Sequence, residues 1–310
     1  MATRGKLGAR SFFGLGSLGI MMERKTYSLP DGLISYLHWS SEKKIKPTLL
    51  FLHATGFNSQ TYQSILAPLH DRFEIYAVDL RGHGFSQLPN TLEKFISWSV
   101  YEEDVSKFLQ GLPGPVFMAG HSLGAIVALG VTNKNPKLVE GIVLFEPVIL
   151  EPYINFLWGL IRQIKLGNWH PLARQAKKRR KCWDSQEQIF RQYRGRGAFK
   201  TWPDQILQDY IEGGTCKDER GEQWSLCCDP GWEARSFALT GTSTWSYFKA
   251  ISCPVKIVYG SKSSTFRPAS ATYMRSQYPL CQLKAYEDAS HFLPMELPQV
   301  FQEELLELII

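Results

Sequence analysis

Short apolar runs alternate with helical patterns through the first half of the chain, and this alternation limits the fold more than any other feature. The runs predicted as strands are PTLLFLHA, FEIYAVDL, PVFMAGHS and VEGIVLFEP, and the helical patterns are VYEEDVSKFLQGL and LGAIVALGVTNKN. Continuous apolar strands separated by helices are typical of a parallel sheet that is covered on both faces. The sequence therefore predicts an α/β fold with a mostly parallel central sheet flanked by helices.

The alternation is interrupted in the second half of the chain. From Leu150 to Phe248 the sequence is helical and irregular, and it carries seven of the nine tryptophans. Strand patterns return at CPVKIVYG and CQLKAYEDAS, and LPQVFQEELLELII closes the chain as an amphipathic helix. We therefore predict a core formed by residues 23–148 and 241–310, with residues 149–240 inserted as a mainly helical cap.

Composition and the first residues set the broad class of protein. The 310 residues are 44% hydrophobic and 21% charged, which is typical of a compact globular chain, and no apolar run reaches the roughly 18 residues of a membrane span. The six cysteines lack paired C-x-x-C spacing, which predicts reduced thiols in a cytoplasmic protein and no metal site. Residues 1–22 are basic and Gly-rich, so we expect a flexible tail, with a targeting segment or a start at Met21 or Met22 as alternatives.

A candidate nucleophile lies in the segment MAGHSLGA. Ser122 stands in the pattern G-x-S-x-G between Gly120 and Gly124, after a predicted strand and before a predicted helix. Small flanking residues let the strand and the helix approach closely enough to lift the serine hydroxyl above the sheet. An ordinary strand-to-helix turn is the alternative, but the strand and helix context favours Ser122 as a nucleophile.

A serine hydroxyl is a poor nucleophile at neutral pH and needs a base. In hydrolases built on a G-x-S-x-G turn the order along the chain is serine, acid, histidine. His291, in EDASHFLPMELP, follows the last predicted strand and is therefore the predicted base. His170 lies in the inserted region beside Trp169 and Pro171, and His83 precedes Ser122, so both are poorer candidates.

Four motifs together resemble the α/β-hydrolase fold superfamily, especially esterase-like members with a helical cap. They are LHATGF, DLRGHGFS, GHSLG and HFLPMELP, and the resemblance spans roughly Lys25 to Ile310. It implies that the backbone N–H groups of Leu123 and Thr55 hold the oxyanion, and that no cofactor is needed. Ala54 replaces the usual glycine of the oxyanion loop, so the second donor could shift to Gly56.

The resemblance leaves the catalytic acid open. A carboxylate usually stands three residues past the glycine of PVKIVYG, but here Ser263 and Ser264 occupy that turn. Some members of the superfamily take the acid from the end of the preceding sheet strand, and in this chain that strand ends with Glu146 in VLFEP. Asp288 competes, but it lies only three residues before His291, where the two groups would struggle to face each other. We therefore predict Glu146 as the acid.

These residues predict a hydrolase that cleaves a carboxylic ester of a small, largely apolar molecule through an acyl-serine. The same groups could instead cleave carbon–carbon bonds, open lactones or transfer acyl groups to an acceptor other than water. A non-catalytic member that binds a ligand or a protein partner is a further alternative. Haloalkane dehalogenases and epoxide hydrolases are disfavoured because they need an aspartate in place of Ser122.

The inserted region is strongly basic. Residues 160–200 contain twelve lysines and arginines against two acidic residues, while the whole chain carries a net charge of only +6. Such a patch could attract an anionic substrate or an anionic membrane surface, or it could be an ordinary solvated helix face. No recognised nucleic-acid-binding fold or aromatic stacking ladder accompanies the charge, so we predict no nucleic-acid partner.

Overall fold

The computed structural model describes residues 22–40, 46–163, 170–218, 220–240, 244–262 and 265–309, and the side chains of residues 160–163 are also outside this description. The predicted tail, residues 1–22, therefore lies outside the described residues except for Met22, and so do Ser263 and Ser264.

The described residues contain eleven strands and twelve α-helices, with short 3-10 helices between them. The strands are β1 Met22–Leu29, β2 Gly32–Trp39, β3 Thr48–Leu52, β4 Glu74–Val78, β5 Val116–His121, β6 Val139–Phe145, β7 Cys182–Trp183, β8 Thr215–Lys217, β9 Trp224–Leu226, β10 Val255–Gly260 and β11 Gln282–Tyr286. The helices are α1 Gln63–Leu66, α2 Ser99–Leu109, α3 Leu123–Lys134, α4 Pro152–Gln163, α5 Pro171–Lys177, α6 Gln186–Tyr193, α7 Asp204–Gly214, α8 Pro230–Ala238, α9 Thr244–Tyr247, α10 Pro268–Gln277, α11 Leu293–Glu296 and α12 Pro298–Leu306.

The central sheet has eight strands in the order β1-β2-β4-β3-β5-β6-β10-β11. All pairs from β4 to β11 are parallel, whereas β2 is antiparallel to both of its neighbours. The prediction of a mostly parallel sheet is confirmed. Because parallel strands point the same way, the loops that follow β3, β5, β6, β10 and β11 all leave the sheet at one edge.

Both faces of the sheet are covered, as the continuous apolar strands predicted. Along β3 the even-numbered Leu50 and Leu52 join one core cluster, and Leu49 and Phe51 join the other. This alternation follows from the two-residue period of a strand. Helices α2 and α3 contribute to the first cluster and α12 to the second, so the inner strands such as β3 are buried on both sides, whereas the edge strands β1 and β11 are partly exposed.

Helix α3 approaches the sheet unusually closely. Its residues from Leu123 to Thr132 are all buried, which requires a helix that is apolar on every side. A Cβ atom placed on Gly124 would lie 2.2 Å from the carbonyl oxygen of Leu52, so only glycine fits at this contact. The two glycines of G-x-S-x-G therefore serve close packing between β3, β5 and α3.

Residues between β6 and α9 form the inserted region, which contains α4–α8 and a three-stranded antiparallel sheet in the order β7-β9-β8. This small sheet was not predicted. Trp232 of α8 ties the region to the core, because its indole N–H donates to the carbonyl oxygen of Arg81 at 3.1 Å and to the Tyr101 hydroxyl at 3.0 Å. Within the described ranges, every helix is too short or too polar to cross a bilayer.

Gly124→Ala should lower the stability of the protein markedly, because its methyl group would overlap the Leu52 carbonyl. We expect a loss of about 3 kcal/mol in the free energy of unfolding, measured by urea denaturation. Gly159→Ala in α4 is the matched control, since no atom lies within 4 Å of the added carbon. The control should leave stability unchanged or raise it slightly; equal losses in both variants would contradict the close-packing argument.

Candidate active site

Three predicted side chains meet at the carboxyl edge of the sheet. Ser122 follows β5, Glu146 follows the neighbouring strand β6, and His291 lies in the loop after β11. The Ser122 Oγ atom is 3.0 Å from Nε2 of His291, and Nδ1 of the same ring is 3.4 Å from Oε2 of Glu146. The structure therefore brings together the hydroxyl, the imidazole and the carboxylate, although they are far apart along the chain.

The carboxylate of Glu146 is fully buried but is not left without partners. Its Oε1 atom accepts a hydrogen bond from the backbone N–H of Gly260, at the end of β10. Burial of a carboxylate is costly unless hydrogen bonds replace its hydration. The Gly260 N–H fixes one oxygen and leaves the other facing the His291 ring.

Ser122 and Glu146 have an unusual backbone. Their φ angles are 57° and 48°, and in the described ranges they are the two residues other than glycine with positive φ. This region costs a side-chain-bearing residue on the order of 1–3 kcal/mol and is found mainly where function requires it. Both strained residues come directly after neighbouring strands, and both side chains contact the His291 ring.

Thr265 is a site residue that the sequence analysis missed. Its hydroxyl oxygen lies 3.0 Å from Nδ1 of His291, closer than the Glu146 carboxylate, and 3.4 Å from the carbonyl oxygen of Glu146. With Nε2 accepting from the Ser122 hydroxyl, Nδ1 carries the proton, so Thr265 accepts a share of that hydrogen bond. Its position in the turn where a catalytic acid is usual was the available signal.

The loop after β3 lies next to Ser122, because Leu52 pairs with Gly120 in the sheet. Within this loop Gly56 takes the left-handed conformation, with φ 75°, and Ala54 does not. The N–H of Gly56 donates to Nε2 of His83 at 3.1 Å. Because the Gly56 N–H already has an acceptor in His83, Thr55 is favoured over Gly56 as an oxyanion donor.

A buried histidine connects the candidate nucleophile to both neighbouring loops. His121 precedes Ser122; its Nε2 bonds the carbonyl oxygen of His291 and its Nδ1 bonds the Tyr62 hydroxyl, both at 2.7 Å. The Tyr62 oxygen in turn accepts the N–H of Ala54 at 3.3 Å. Burial, and then the charge of nearby His291, hold the pKa of His121 well below its usual value. A neutral ring with Nε2 protonated satisfies both contacts and links the three loops.

Comparison with known proteins identifies the family of this chain. The model of a family described as the alpha/beta hydrolase family matches residues 49–304, which is most of the chain. The chain belongs to the alpha/beta hydrolase family. The prediction that it is an enzyme of the hydrolase kind is confirmed at this level.

Two curated relatives resemble part of this alpha/beta hydrolase. It is 35% identical to the 2-(acetamidomethylene)succinate hydrolase of Mesorhizobium japonicum over 115 residues, which are 37% of this chain and 39% of that protein. It is 32% identical to the pimeloyl-acyl-carrier-protein methyl ester esterase of Pectobacterium carotovorum over 107 residues, 34% of this chain and 39% of that protein. These matches span about two fifths of each relative's length.

Solved structures extend the likeness to nearly the whole chain. The crystal structure of E-2-(acetamidomethylene)succinate hydrolase matches with a TM-score of 0.76 and 20% sequence identity, and the match covers 93% of this alpha/beta hydrolase and 99% of that chain. At this level of identity the likeness shows the fold alone.

In this alpha/beta hydrolase the alternative acid and the alternative bases considered from the sequence do not take part in the contact between Ser122, His291 and Glu146. Asp288 has a side chain that is 98% exposed and lies 3.7 Å from Lys262. His83 is buried, its pKa is lowered to about 3 by burial, and it supports the Gly56 N–H. His170 precedes α5 in the inserted region, where its ring packs against Trp158 and Phe237.

Part of the positive charge of the inserted region is neutralised locally. Arg179 pairs with Glu233, Lys181 with Asp229, Arg191 with Glu187 and Arg194 with Asp204. Three of these four acidic partners lie beyond residue 200, so a count over residues 160–200 overstates the free charge. The Arg179 pair is largely buried, whereas the other three are exposed and contribute little to stability.

Removing the Thr265 hydroxyl should slow catalysis by weakening the hold on the His291 ring. A hydrogen bond to an ionised partner contributes about 1.5–3 kcal/mol, so we expect Thr265→Val to lower kcat/KM for a model ester about tenfold or more. The acid limb of the pH profile should shift to lower pH, since the imidazolium loses an acceptor.

Thr265→Ser keeps the hydroxyl and is the matched control, with activity and pH profile close to those of the unaltered protein. A Thr265→Val variant that is slower but has an unshifted acid limb would mean that Thr265 supports only the turn.

Proposed function

We propose that this alpha/beta hydrolase cleaves a carboxylic ester, or a related acyl bond, of a small and largely apolar molecule. The observation that carries the proposal is the 3.0 Å contact between the Ser122 hydroxyl and Nε2 of His291, with Nδ1 of that ring directed at a buried carboxylate and a hydroxyl. Nucleophile, base and orienting group within hydrogen-bond reach of one another are the signature of acyl transfer through serine.

The proposed reaction has two halves. Ser122 Oγ attacks the ester carbonyl carbon while its proton passes to Nε2 of His291, and Glu146 stabilises the imidazolium that forms. The carbon–oxygen bond to the alcohol then breaks as His291 returns the proton to the leaving oxygen. Water attacks the acyl-serine with His291 again as base, which releases the carboxylic acid and restores the Ser122 hydroxyl.

The tetrahedral intermediates carry a negative oxygen that needs two donors. Leu123 is the first residue of α3, and the first N–H groups of a helix have no partner within the helix. The N–H of Thr55, in the loop after β3, would supply the second bond. The engagement of Gly56 with His83 supports this choice.

An aromatic cluster supports an apolar substrate. Phe57 of the oxyanion loop and Phe292, next to His291, meet Trp202 and Tyr210 of the inserted region. Ring centroids are 5.2 Å apart for Phe57 and Trp202, 5.7 Å for Phe57 and Tyr210, and 5.8 Å for Trp202 and Phe292. Apolar sites between two modules are common positions for small ligands.

We assign residues 149–240 the role of a cap over residues 23–148 and 241–310, on the strength of these contacts. Its remaining exposed basic side chains, such as Arg174 and Lys178, would favour an anionic substrate or surface. A cytoplasmic location, expected from the cysteine content, stays a prediction.

A fluorophosphonate probe tests the proposal directly. Incubation with the probe followed by peptide mass mapping should place one adduct on Ser122, and Ser122→Ala should abolish it. Hydrolysis of short and long p-nitrophenyl esters by the same preparation should also depend on Ser122, and added alcohols would reveal acyl transfer to acceptors other than water. A folded protein that neither takes the label nor hydrolyses any of these esters would instead be a binding module.

Glu146→Gln should lower kcat by about a hundredfold or more, because the amide oxygen keeps the Gly260 bond while the amide N–H donates to Nδ1 and favours the wrong histidine tautomer. Asp288→Asn is the matched control and should retain nearly full activity, since that side chain is exposed. Steady-state kinetics on a p-nitrophenyl ester compare the two variants. Equal losses, or an active Glu146→Gln, would remove Glu146 from the proposed mechanism.

A further inference from the structure

Helix α8 of the inserted region contacts two loops at the carboxyl edge of the central sheet. The indole N–H of Trp232 donates to the carbonyl oxygen of Arg81, in the loop after β4. Ser236 follows one helical turn later and is buried, with its hydroxyl oxygen 3.5 Å from that of Thr55, in the loop after β3. Residues four apart lie on the same face of a helix. One face of α8 therefore meets the oxyanion loop and its neighbour.

Between these two contacts, the side chain of Glu233 fills the space beside Gly56. A Cβ atom placed on Gly56 would lie 2.5 Å from Oε1 of Glu233 and 2.8 Å from its carboxyl carbon. Because a carbon–carbon bond is about 1.5 Å long, the carboxylate oxygen lies within about 4 Å of the Gly56 Cα atom. The carboxylate is thus packed directly against the backbone of the oxyanion loop.

Arg179 compensates the charge of this carboxylate. Its Nη1 atom donates to Oε2 of Glu233 at 2.7 Å, and its Nη2 atom donates to the Tyr210 hydroxyl at the same distance. The side chain of Glu233 is only 9% exposed, and a carboxylate so enclosed is costly unless it is paired. The guanidinium therefore fixes one carboxylate oxygen, while the other faces Gly56.

The core holds the same loop through other groups. The Tyr62 hydroxyl accepts the N–H of Ala54 at 3.3 Å, and Nε2 of His83 accepts the N–H of Gly56 at 3.1 Å. Thr55 lies between these two residues, so a displacement of the Gly56 backbone also moves Thr55. In an active site, a misplacement of about 1 Å can cost on the order of a hundredfold in rate. A side chain that fixes Gly56 therefore matters for the proposed donor.

We propose that Glu233 is a positioning residue for the oxyanion loop, held in place by Arg179. Its carboxylate packs against Gly56 and keeps the Thr55 N–H directed at the reacting oxygen, and the guanidinium cancels a negative charge that would otherwise oppose the oxyanion. This inference rests on the proposed function, because it assigns a task in the same reaction. It gives the inserted region a part in the chemistry besides its role as a cap.

Two double variants test the positioning role in the absence of both charges. Arg179→Met/Glu233→Gln keeps a side chain of the same size beside Gly56, whereas Arg179→Met/Glu233→Ala removes it. We expect the alanine form to have a kcat about tenfold or more below that of the glutamine form on a p-nitrophenyl ester, with KM within about twofold, because the oxyanion exists only along the reaction path.

Neither double variant leaves an unpaired buried charge, so we expect both to fold, and circular dichroism with thermal melting checks this. If the alanine form does not fold, Glu233→Asp replaces it in the comparison. Aspartate keeps the charge but is one methylene shorter, so it withdraws from Gly56, and the same loss of kcat is expected.

The single variant Arg179→Met tests the charge, because it leaves the Glu233 carboxylate unpaired. We expect its kcat to be about tenfold or more below that of Arg179→Met/Glu233→Gln, so that removal of the second charge restores activity. Arg191→Met is the matched control, since it breaks an exposed ion pair with Glu187 and should retain full activity. A double variant no faster than Arg179→Met would overturn the role of Arg179.

A trifluoromethyl ketone distinguishes the oxyanion loop from general stability. The Ser122 oxygen adds to the ketone carbon, the serine proton passes to His291, and the ketone oxygen becomes the bound oxyanion. The alanine double variant should bind this inhibitor about tenfold or more weakly than the glutamine form, while the corresponding alcohol, which forms no adduct, should inhibit both forms equally. A purely structural defect would weaken both inhibitors alike, and that result would overturn the proposal.

Labelling of Ser122 by the fluorophosphonate is scored in parallel on the unaltered protein. An unaltered protein that neither takes the label nor hydrolyses esters overturns the proposed function, and this inference with it. An active unaltered protein whose two double variants have equal kcat and equal affinity for the ketone overturns the positioning role of Glu233 alone.

Discussion

The parallel pairing of β3, β5, β6 and β10 is the constraint on which the candidate site depends. Parallel strands deliver the ends of their chains to the same edge of the sheet, so the loops after residues 52, 121, 145 and 260 become neighbours without any attraction between their side chains. The register fixes the rest: His121 pairs with Phe145, which places Ser122 and Glu146 side by side as each leaves the sheet. Loss of this register would separate all of the proposed catalytic groups at once.

The histidines at the carboxyl edge of the sheet differ in burial, and their roles differ accordingly. His53, His83 and His121 are fully enclosed, their pKa values are lowered chiefly by burial, and each neutral ring joins a backbone or side-chain donor to an acceptor. They act as rigid connectors between the loops. His291 retains 24% exposure of its side chain and faces a carboxylate, so its ring can gain a proton without being wholly cut off from solvent. The same residue type is thus a scaffold at three places and the proposed base at a fourth.

Much of this site follows from strand order, and the parts that do not are set by irregular turns. Ser122, His291 and Glu146 could be chosen because each lies just beyond a recognisable strand, where the sheet determines the neighbours. For Thr265 the sequence offers only its place in the turn after β10, because its distance from His291 depends on the conformation of that turn and not on any spacing in the sequence. Strand β7 spans two residues, too few to produce a periodic pattern.

In the inserted region, a count of charged residues over a short stretch of sequence was also misleading. Asp229 and Glu233 neutralise Lys181 and Arg179 from about fifty residues away, so the charge of a short window is a poor guide to the charge of the folded surface. The exposure of Tyr153, Phe156 and Leu157 on α4 is likewise visible only in three dimensions. Periodicity identifies two faces of a helix, but the neighbouring elements decide which of them is turned inward.

The strain at Ser122 and Glu146 persists because the sheet holds both residues by their backbones. The Ser122 N–H donates to the carbonyl oxygen of Phe145 at 2.9 Å, and the Glu146 N–H donates to that of Val258 at 2.8 Å. Each strained residue therefore remains hydrogen-bonded to the next strand on one side while its side chain turns out of the sheet on the other. Since the Glu146 carboxylate also accepts the Gly260 N–H, β10 fixes the backbone and the side chain of the same residue. A rigid strand pair can thus maintain two unfavourable conformations that an isolated loop would relax, and the geometry between serine, histidine and glutamate is set before any substrate arrives.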